Sequence, residues 1–530
     1  MDEASGSRAG RAAARSELQD YLNAQSDRRR VLPKALLVGV VSGLLAVAFK
    51  GALLLADLGR GRVLDWAHRH PAWGPLVAAL FSAAGAALAL LVVRRVAPET
   101  SGSGIPHLEA VLHRRRDLRW ATVLPAKFVG GVLALGAGMN LGREGPTVQM
   151  GGAVGAAVAR GLRVPKREEL VLTAAGAGAG LAAAFNAPLS GLVFVLEELQ
   201  RDFRPLVFGA AFVAAASADV VARLLSGQIP AFTVPSYPAP ALPLLLAFAV
   251  LGALSGGFGI LFNRGVVASL NAFARVSARW ALPVGGAVGA VVGLVAYLSP
   301  LMVGGGHGVV EAATAGEISL AAVPLLLLVR FALTVGSYGT GAPGGIFAPL
   351  LALGALLGLG VGALAHVVAP GVPLQVGAFA VVGMATAFTG IVRAPLTGIV
   401  LIVEMTQSYT LMLPLLVASF CAYAVAEGLG SLPIYEALLQ RDLLRGGESV
   451  VHAAPIVLER EVEPRSPFEG RRVRDLGLPP GVVLVGCRQG DQEWVPTAET
   501  RLPAHTWVTA VVAPDSEGGL AAFREGCEGE

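Results

Sequence analysis

The sequence predicts an all-α polytopic membrane protein that ends in a small α/β cytosolic domain. Of its 530 residues, 54% are hydrophobic and 15% are charged, with a mean hydropathy of +0.64, whereas soluble domains carry about 25% charged residues. No Asp, Glu, Lys or Arg occurs in residues 170–196 or 331–392, and each stretch is long enough for one or more crossings of about 20 residues. From about residue 447 the sequence becomes charged and polar, so the membrane part is expected to end there.

Residues 1–32 are expected to form a cytosolic segment. Positive charge beside the first span of a membrane protein favours a cytoplasmic N-terminus, and the first apolar span here covers residues 36–56. Acidic residues interrupt the basic leader, and no short apolar stretch with a small-residue cleavage site follows it, so we expect no signal peptide. The basic residues before the span are Arg8, Arg11, Arg15, Arg28, Arg29, Arg30 and Lys34.

The membrane part is predicted to cover residues 33–446 and to contain two repeats, at roughly 33–225 and 239–440. The segment GAGAGLAAAFNAPLSG at 176–191 aligns with GMATAFTGIVRAPLTG at 383–398. Several apolar stretches are shorter than a full crossing, which indicates helices that stop partway through the bilayer. Two halves with broken helices in corresponding places are what secondary transporters use to build a site at the bilayer midplane.

Three short islands rich in glycine and proline interrupt the apolar sequence, at residues 102–106 (GSGIP), 142–146 (GREGP) and 345–349 (GIFAP). Non-helical backbone at membrane depth is tolerated only where it is buried in protein or lines a cavity. A helix that begins at such an island directs free N–H groups and a partial positive charge toward the cavity. Three converging helix starts therefore predict a dehydrated anion site.

These islands, together with FNAPL at 185–189, GAPGGIFAP at 341–349 and RAPLTG at 393–398, resemble the motifs of the CLC chloride channels and chloride/proton antiporters. The resemblance covers roughly residues 33–440. It implies two inverted-topology repeats around a midplane anion site, and a homodimer in a bacterial inner membrane with both termini cytoplasmic. It also implies exchange of chloride for protons across the lipid bilayer, with no cofactor, no metal and no nucleic acid.

The resemblance also implies which residues bind chloride. Ser103 corresponds to a hydroxyl donor that favours chloride, although a serine before a helix could equally be a cap. Tyr435 corresponds to a second hydroxyl donor, although a lone tyrosine near a membrane end could be an interfacial anchor. The complete predicted set is Ser103, Gly104, Ile105, Arg143, Glu144, Gly145, Ile346, Phe347, Ala348 and Tyr435.

Two glutamates are predicted to carry the coupling between the ions. Glu144 could pair structurally with Arg143, since an isolated buried charge is costly. The resemblance implies instead a gate whose carboxylate occupies an anion position and is released by protonation. Glu198 could simply be solvated at a helix end, where the helix dipole disfavours it, but by resemblance it is the internal proton-transfer glutamate that channels generally lack.

The presence of Glu198 favours an antiporter over the alternative, a passive voltage- or pH-gated chloride channel of the same fold. A fluoride-exporting relative is disfavoured by Ser103. An intramembrane serine hydrolase would need Ser190 or Ser103 beside a histidine, and no such pair is evident, since His107 lies on the same helix turn as Ser103. A ligand sensor in which the C-terminal domain matters more than transport is a further alternative.

Three other polar residues of the membrane part are expected to be structural. Glu109 and Lys127 are expected to form a buried structural pair, as their counterparts do in the family, and Glu404 is also expected to be structural. His307, in a glycine-rich stretch, is a place where pH sensitivity could enter.

Residues 447–530 are predicted to form a cytosolic regulatory domain with alternating β patterns at 482–486 and 506–512. The segments 468–470 and 494–496 resemble the C-terminal ligand-binding lobe of potassium-transport regulators. This resemblance implies a small cytosolic ligand, such as a nucleotide or cyclic dinucleotide, that modulates transport. The three cysteines, Cys421, Cys487 and Cys527, are far apart and odd in number, so they predict neither a disulfide framework nor a metal site.

Overall fold

A computed structural model describes residues 3–201, 203–228, 231–368, 370–371, 374–445, 456–490, 492–513, 516 and 518–529. Of residues 3–28 it describes the backbone alone. The basic side chains predicted to orient the N-terminus at 8–28, and the predicted boundary at 446–447, therefore lie outside the described part. The chain divides into two compact units, Met1–Leu439 and Gln440–Glu530.

The first unit is helical, and its helices follow the same order in each half. The first half contains α1 (Glu3–Arg69), α2 (Gly74–Arg95), α3 (Ile105–Leu112), α4 (Trp120–Gly136), α5 (Glu144–Gly161), α6 (Lys166–Phe185), α7 (Pro188–Phe194) and α8 (Pro205–Ser226). The second half contains α9 (Leu245–Ala274), α10 (Ala281–Leu298), α11 (His307–Ala315), α12 (Val323–Gly339), α13 (Phe347–Val368), α14 (Val376–Val392), α15 (Pro395–Thr406) and α16 (Met412–Gly428). A further helix, α17 (Ile434–Arg445), begins in this unit.

The helix lengths agree with a membrane fold that includes broken helices. Within the described ranges, nine helices are long and apolar enough to cross a membrane. Others are much shorter, including α3 with 8 residues and α11 with 9. The 7-residue α7 continues into a 5-residue π-helical turn, Val195–Leu199, and its counterpart α15 is a single helix of 12 residues. Short helices occur at matching places in the two halves, as the repeat predicted.

Two glutamates show that α7 and α15 run in opposite directions. Glu404, near the end of α15, accepts hydrogen bonds from the backbone N–H groups of Leu189 (3.1 Å) and Ser190 (2.7 Å), at the start of α7. Glu197, in the π-helical turn that ends α7, accepts the equivalent bonds from Leu396 (3.1 Å) and Thr397 (2.7 Å), at the start of α15. Each carboxylate neutralises the positive end of the other helix. Equivalent helices of opposite direction are what inverted repeats require.

Small residues allow the helices within each half to pack closely. A Cβ atom at Gly151 of α5 would lie 2.1 Å from the carbonyl oxygen of Gly176 of α6. In the second half, a Cβ atom at Gly383 of α14 would lie 2.2 Å from the carbonyl oxygen of Gly354 of α13. Without a hydrophobic effect between helices in a bilayer, such backbone contact is a main source of association. These glycines therefore allow neighbouring helices to pack closely against each other.

The second unit contains a four-stranded antiparallel sheet formed by β1 (Ile456–Glu461), β2 (Val482–Gln489), β3 (Gln492–Trp494) and β4 (Trp507–Val512). The strand order is β1-β4-β2-β3. Helix α18 (Gly519–Cys527) packs against β1 and β4, with Phe523 in a small core. The prediction of a small α/β domain is therefore confirmed.

Two of the three cysteines lie in this core. Cys487 and Cys527 are free thiols and almost completely buried. Burial raises the pKa of the Cys487 thiol, and it raises the pKa of the Cys527 thiol to about 11. Both thiols therefore stay protonated at neutral pH and pack as small apolar groups.

We expect Glu404→Ala to destabilise the membrane unit. The substitution leaves two N–H groups at the start of α7 without their acceptor, and loss of a helix cap costs about 1–2 kcal/mol. Thermal unfolding of the purified protein in detergent should show a lower midpoint. Glu317→Ala, at an exposed position, is the control, and equal midpoints for the two variants would contradict the capping role.

Candidate anion and proton site

The three predicted islands meet at one place in the membrane unit. The N–H of Gly142 donates to the carbonyl of Gly345, and the N–H of Gly345 donates to the carbonyl of Gly142, each at 2.7 Å. The N–H of Gly344 donates to the carbonyl of Gly102 at 3.0 Å. A Cβ atom added to Gly145 would lie 2.9 Å from the Cβ of Ser103. The starts of α3, α5 and α13 therefore converge, as the sequence predicted.

Ser103 lies at this junction and is completely buried. Its Oγ accepts hydrogen bonds from the N–H of Ile105 (3.3 Å) and from the hydroxyl of Tyr338 (3.4 Å). The N–H of Ser103 in turn donates to the Tyr338 Oη at 3.3 Å. A serine hydroxyl can accept two hydrogen bonds and donate one. Ser103 thus acts as an acceptor for the first helical N–H, and its own proton is available for an anion.

Tyr435, the second residue of α17, is also completely buried. Its ring stacks against Phe347, with ring centroids 6.2 Å apart. Its hydroxyl has no hydrogen-bond partner among the described residues, which would cost about 1–3 kcal/mol if nothing accepted its proton. The alternative of an interfacial anchor is wrong because that role requires an exposed hydroxyl. A buried unpartnered donor fits an anion site.

Glu144 begins α5 and is 2% exposed. Its carboxylate lies beside the backbone N–H of Ala348, at the start of α13. The Nε of Arg143 lies 3.9 Å from one carboxylate oxygen, and the other oxygen has no hydrogen-bond partner among the described residues. The ion pair with Arg143 is therefore loose, and the carboxylate occupies the position between two helix N-termini where an anion would be stabilised.

Glu144 and Arg143 line a cavity of about 690 Å³, which we call the Glu144 cavity. Lys50, Arg60, Asp57 and His307 also line it. The ring of His307 packs against Phe232 with centroids 4.4 Å apart. His307 and Glu144 line the same cavity, and a role of His307 in pH sensitivity stays a prediction.

Glu198 faces a different cavity, of about 400 Å³, which we call the Glu198 cavity. The side chain is 4% exposed, and one carboxylate oxygen has no hydrogen-bond partner among the described residues. Simple solvation at a helix end is therefore the wrong interpretation of Glu198. Its neighbour Glu197 also lines the cavity but is committed to the start of α15, so the two adjacent carboxylates differ in role.

The remaining predicted residues lie in the same three islands. Gly104 precedes α3 with φ of 81°, in the left-handed region. Ile105, Ile346 and Phe347 are completely buried. The ring of Phe347 packs between Tyr435 and Phe388, the latter at a centroid distance of 5.0 Å.

The expected pair of Glu109 and Lys127 is wrong. The Lys127 Nζ donates to the carbonyl oxygens of Thr100 (2.9 Å) and Gly102 (2.6 Å) and makes no ion pair with Glu109. The lysine thus holds the backbone that presents Ser103. Glu109 is buried with an unpartnered oxygen and interacts electrostatically with Glu198 instead.

Sequence reasoning missed Tyr338, the hydroxyl that contacts Ser103. It lies in α12, and a single tyrosine in an apolar helix is more often a core residue than part of a site. The hydrolase alternative finds no support in the described residues, because Ser190 donates to Glu404 at 2.6 Å and Ser103 contacts Tyr338. No group of three or more potential metal ligands occurs in the described ranges.

Comparison with known proteins identifies the family. The profile described as "Voltage gated chloride channel" matches residues 85–427. The chain belongs to this family, the CLC family. The all-helical fold with two inverted repeats around a midplane site and the resemblance of the membrane part are thereby confirmed, whereas the resemblance of the C-terminal domain stays a prediction.

Members of the family with high similarity include bacterial exchangers. The H(+)/Cl(-) exchange transporter ClcA of Vibrio vulnificus (strain YJ016) is 42% identical over 434 residues, or 80% of this chain and 92% of that protein. The protein of the same description from Cronobacter sakazakii is 41% identical over 422 residues, or 78% of this chain and 90% of that protein.

Solved structures agree with this relationship. The crystal structure of a slow cyanobacterial Cl-/H+ antiporter aligns with a TM-score of 0.76 and 36% identity, over 79% of this chain and 99% of that one. A eukaryotic CLC transporter aligns with a TM-score of 0.67 and 24% identity, over 85% of this chain and 78% of that one, which supports the fold alone.

We expect Tyr338→Phe to weaken anion binding by way of Ser103. The substitution removes the acceptor of the Ser103 N–H and one donor to its Oγ, so the orientation of the hydroxyl is less restricted. A loss of about tenfold in chloride affinity, or about 1.4 kcal/mol, is expected, measured by isothermal titration calorimetry. Tyr409→Phe, with an exposed ring, is the control. If Tyr338→Phe lowered the chloride affinity as much in a Ser103→Ala background as it does in the unmodified protein, the coupling between the two hydroxyls would be refuted.

Proposed function

We propose that this protein is a secondary active transporter that exchanges chloride for protons across a membrane. The observation that carries the proposal is the pair of buried carboxyl groups, Glu144 and Glu198, each with an unpartnered oxygen and each lining its own cavity. Ionisable groups in a membrane are costly and are usually functional. Similar bacterial proteins are named as exchangers of the same two ions.

Chloride would bind at the junction of the three islands. The hydroxyls of Ser103 and Tyr435 would donate to the ion, and so would backbone N–H groups near Gly145, Ile346 and Phe347. Dehydrating an anion is expensive, and hydrogen bonds at helix N-termini compensate for the lost water. Binding that relies mainly on such hydrogen bonds is weak enough to release the ion, as transport requires.

Glu144 would act as the gate. Its carboxylate lies at the N-termini of α5 and α13, so it competes with chloride for the same positive potential. Protonation removes its negative charge and hence its attraction to the helix N-termini, which frees the position for an ion. Because one group responds to both ions, movement of chloride and of protons becomes coupled.

Glu198 would transfer protons between Glu144 and the solution on the other side. It lines a separate cavity, so protons and chloride need not share the whole route. A passive channel would need no second buried carboxylate. We therefore favour exchange over a voltage- or pH-gated channel.

The setting of the transporter is proposed from its relatives and its composition. The protein would reside in a bacterial inner membrane as a homodimer with both termini cytoplasmic. Residues 1–32 would form the N-terminal cytosolic segment, residues 33–446 the transport domain and residues 447–530 a regulatory domain. The regulatory domain would bind a small cytosolic ligand, such as a nucleotide or cyclic dinucleotide, and modulate transport.

Reconstituted liposomes provide the direct test. With a chloride gradient and no pH gradient, we expect the protein to drive uphill proton movement, followed with a pH electrode. Glu198→Gln should reduce the proton flux more than about tenfold, since it removes a positioned proton-transfer group, while chloride flux continues. Chloride flux without proton movement in the unmodified protein would establish a channel instead.

A second expectation concerns the gate. Glu144→Gln keeps the shape of the side chain but cannot bind or release a proton, so chloride flux should become independent of pH and proton movement should stop. Chloride efflux at several values of pH, measured with a chloride electrode, checks this expectation. Glu317→Gln is the control, and a variant at Glu144 that still pumps protons would refute the gate.

A further inference from the structure

The Glu198 cavity contains more carboxylates than the proposed mechanism uses. Glu197, Glu198, Glu427 and Glu436 all line it. The other titratable or charged residues in its wall are Arg201, Arg393 and Tyr423, and Glu109 interacts electrostatically with Glu198 from α3. The roles of the four carboxylates can be separated by their hydrogen bonds and their exposure.

Two of these carboxylates have structural partners. Glu197 caps the start of α15, as described above. Glu427 lies 3.6 Å from the Nε of Arg393, with 62% of its side chain exposed. Arg393 itself donates to the carbonyl oxygens of Gly390, Ala426 and Ser431, so it is held in place with or without Glu427. Neither carboxylate is suited to carry protons inward.

Glu198, by contrast, lacks a complete set of partners. It is 4% exposed and has an unpartnered oxygen, so it can hold a proton for the interior of the protein. Its burial also limits direct exchange with bulk water. A partly exposed acid in the same cavity would provide the missing connection.

Glu436 has the properties of such an acid. It lies in the first turn of α17, directly after Tyr435, and its side chain is 32% exposed. The Nη1 of Arg201 lies 3.4 Å from its carboxylate, with 50% of the arginine side chain exposed. Arg201 follows the π-helical turn that carries Glu198, at φ of 49°. The ion pair therefore links the segment of the proton-transfer glutamate to the segment of the chloride ligand.

The ion pair between Arg201 and Glu436 contributes little to stability by itself. Exposed pairs contribute about 0–1 kcal/mol, so this one can open readily. The pair also determines the charge at the mouth of the cavity. Without Glu436, the guanidinium of Arg201 would be unpaired beside Glu198 and would repel incoming protons. Both members of the pair interact electrostatically with Glu198 and with Glu109. The pair thus neutralises the cavity mouth and keeps a carboxylate there.

We propose that Glu436 is the proton-collecting residue of this transporter, and that Arg201 positions it at the mouth of the Glu198 cavity. The inference rests on the proposed exchange of chloride for protons. The Glu436 carboxylate takes a proton from a hydronium ion in solution and passes it to the Glu198 carboxylate through water in the cavity. Glu436 then returns to its ionised form beside Arg201, so each cycle delivers one proton without changing Glu436.

The test compares proton and chloride flux in liposomes for Glu436→Gln, Glu436→Asp and the matched control Glu427→Gln. Glu436→Gln should lower the ratio of proton to chloride flux by about tenfold. This loss is smaller than the loss expected for a group that transfers the proton directly, because water in the cavity can partly replace Glu436. Chloride flux should stay within about twofold of the unmodified protein, which also shows that the variant folds. Glu436→Asp retains a carboxylate and should restore most of the proton flux, and Glu427→Gln should have no effect on the ratio.

Other outcomes would overturn this inference. If Glu436→Gln kept the normal flux ratio, whether total flux were normal or reduced, Glu436 would have no role in proton collection. If Glu427→Gln lowered the ratio equally, the effect would come from overall charge at the cavity mouth. Failure of the unmodified protein to move protons would refute the proposed function itself, which separates the two failures.

Discussion

The hydrogen bonds between Gly142 and Gly345 are the contact on which the site depends. Backbone groups at membrane depth have no water to bind, and these two islands satisfy each other's N–H and carbonyl groups at 2.7 Å. A Cβ atom on Gly345 would lie 2.9 Å from the backbone nitrogen of Gly145, so the approach requires glycine. The junction brings the N-termini of α5 and α13 together, and Glu144 lies between them. The proposed anion site and gate thus depend on one backbone contact between the repeats.

The glutamates of the membrane unit differ in their hydrogen bonding. Glu197 and Glu404 each accept bonds from two backbone N–H groups and one hydroxyl, in symmetric positions. These two carboxylates therefore have a structural role as helix caps. Glu144 and Glu198 are more deeply buried than these two, yet each retains an unpartnered oxygen. A buried charge without a complete set of partners is costly, and the change of protonation state that we propose for Glu144 and Glu198 would relieve that cost.

Some contacts of the site depend on distances that no sequence pattern predicts. Glu109 and Lys127 were expected to pair, yet the ammonium group lies against two carbonyl oxygens of the loop that presents Ser103. A non-helical loop inside a membrane leaves carbonyl groups in need of donors, and a lysine can satisfy several at once. Tyr338 was overlooked for a related reason, since its role appears only when α12 is placed against the first island.

The sequence by itself determined the membrane character, the repeat and the three islands. These features depend on composition and on local backbone chemistry, because long uncharged stretches must lie in lipid and glycine with proline must interrupt helices. Only the tertiary structure decided which of the glutamates cap helices and which keep an unpartnered oxygen. That distinction depends on which N–H groups lie within about 3 Å of each carboxylate, and those groups come from the opposite repeat, about 200 residues away in the chain.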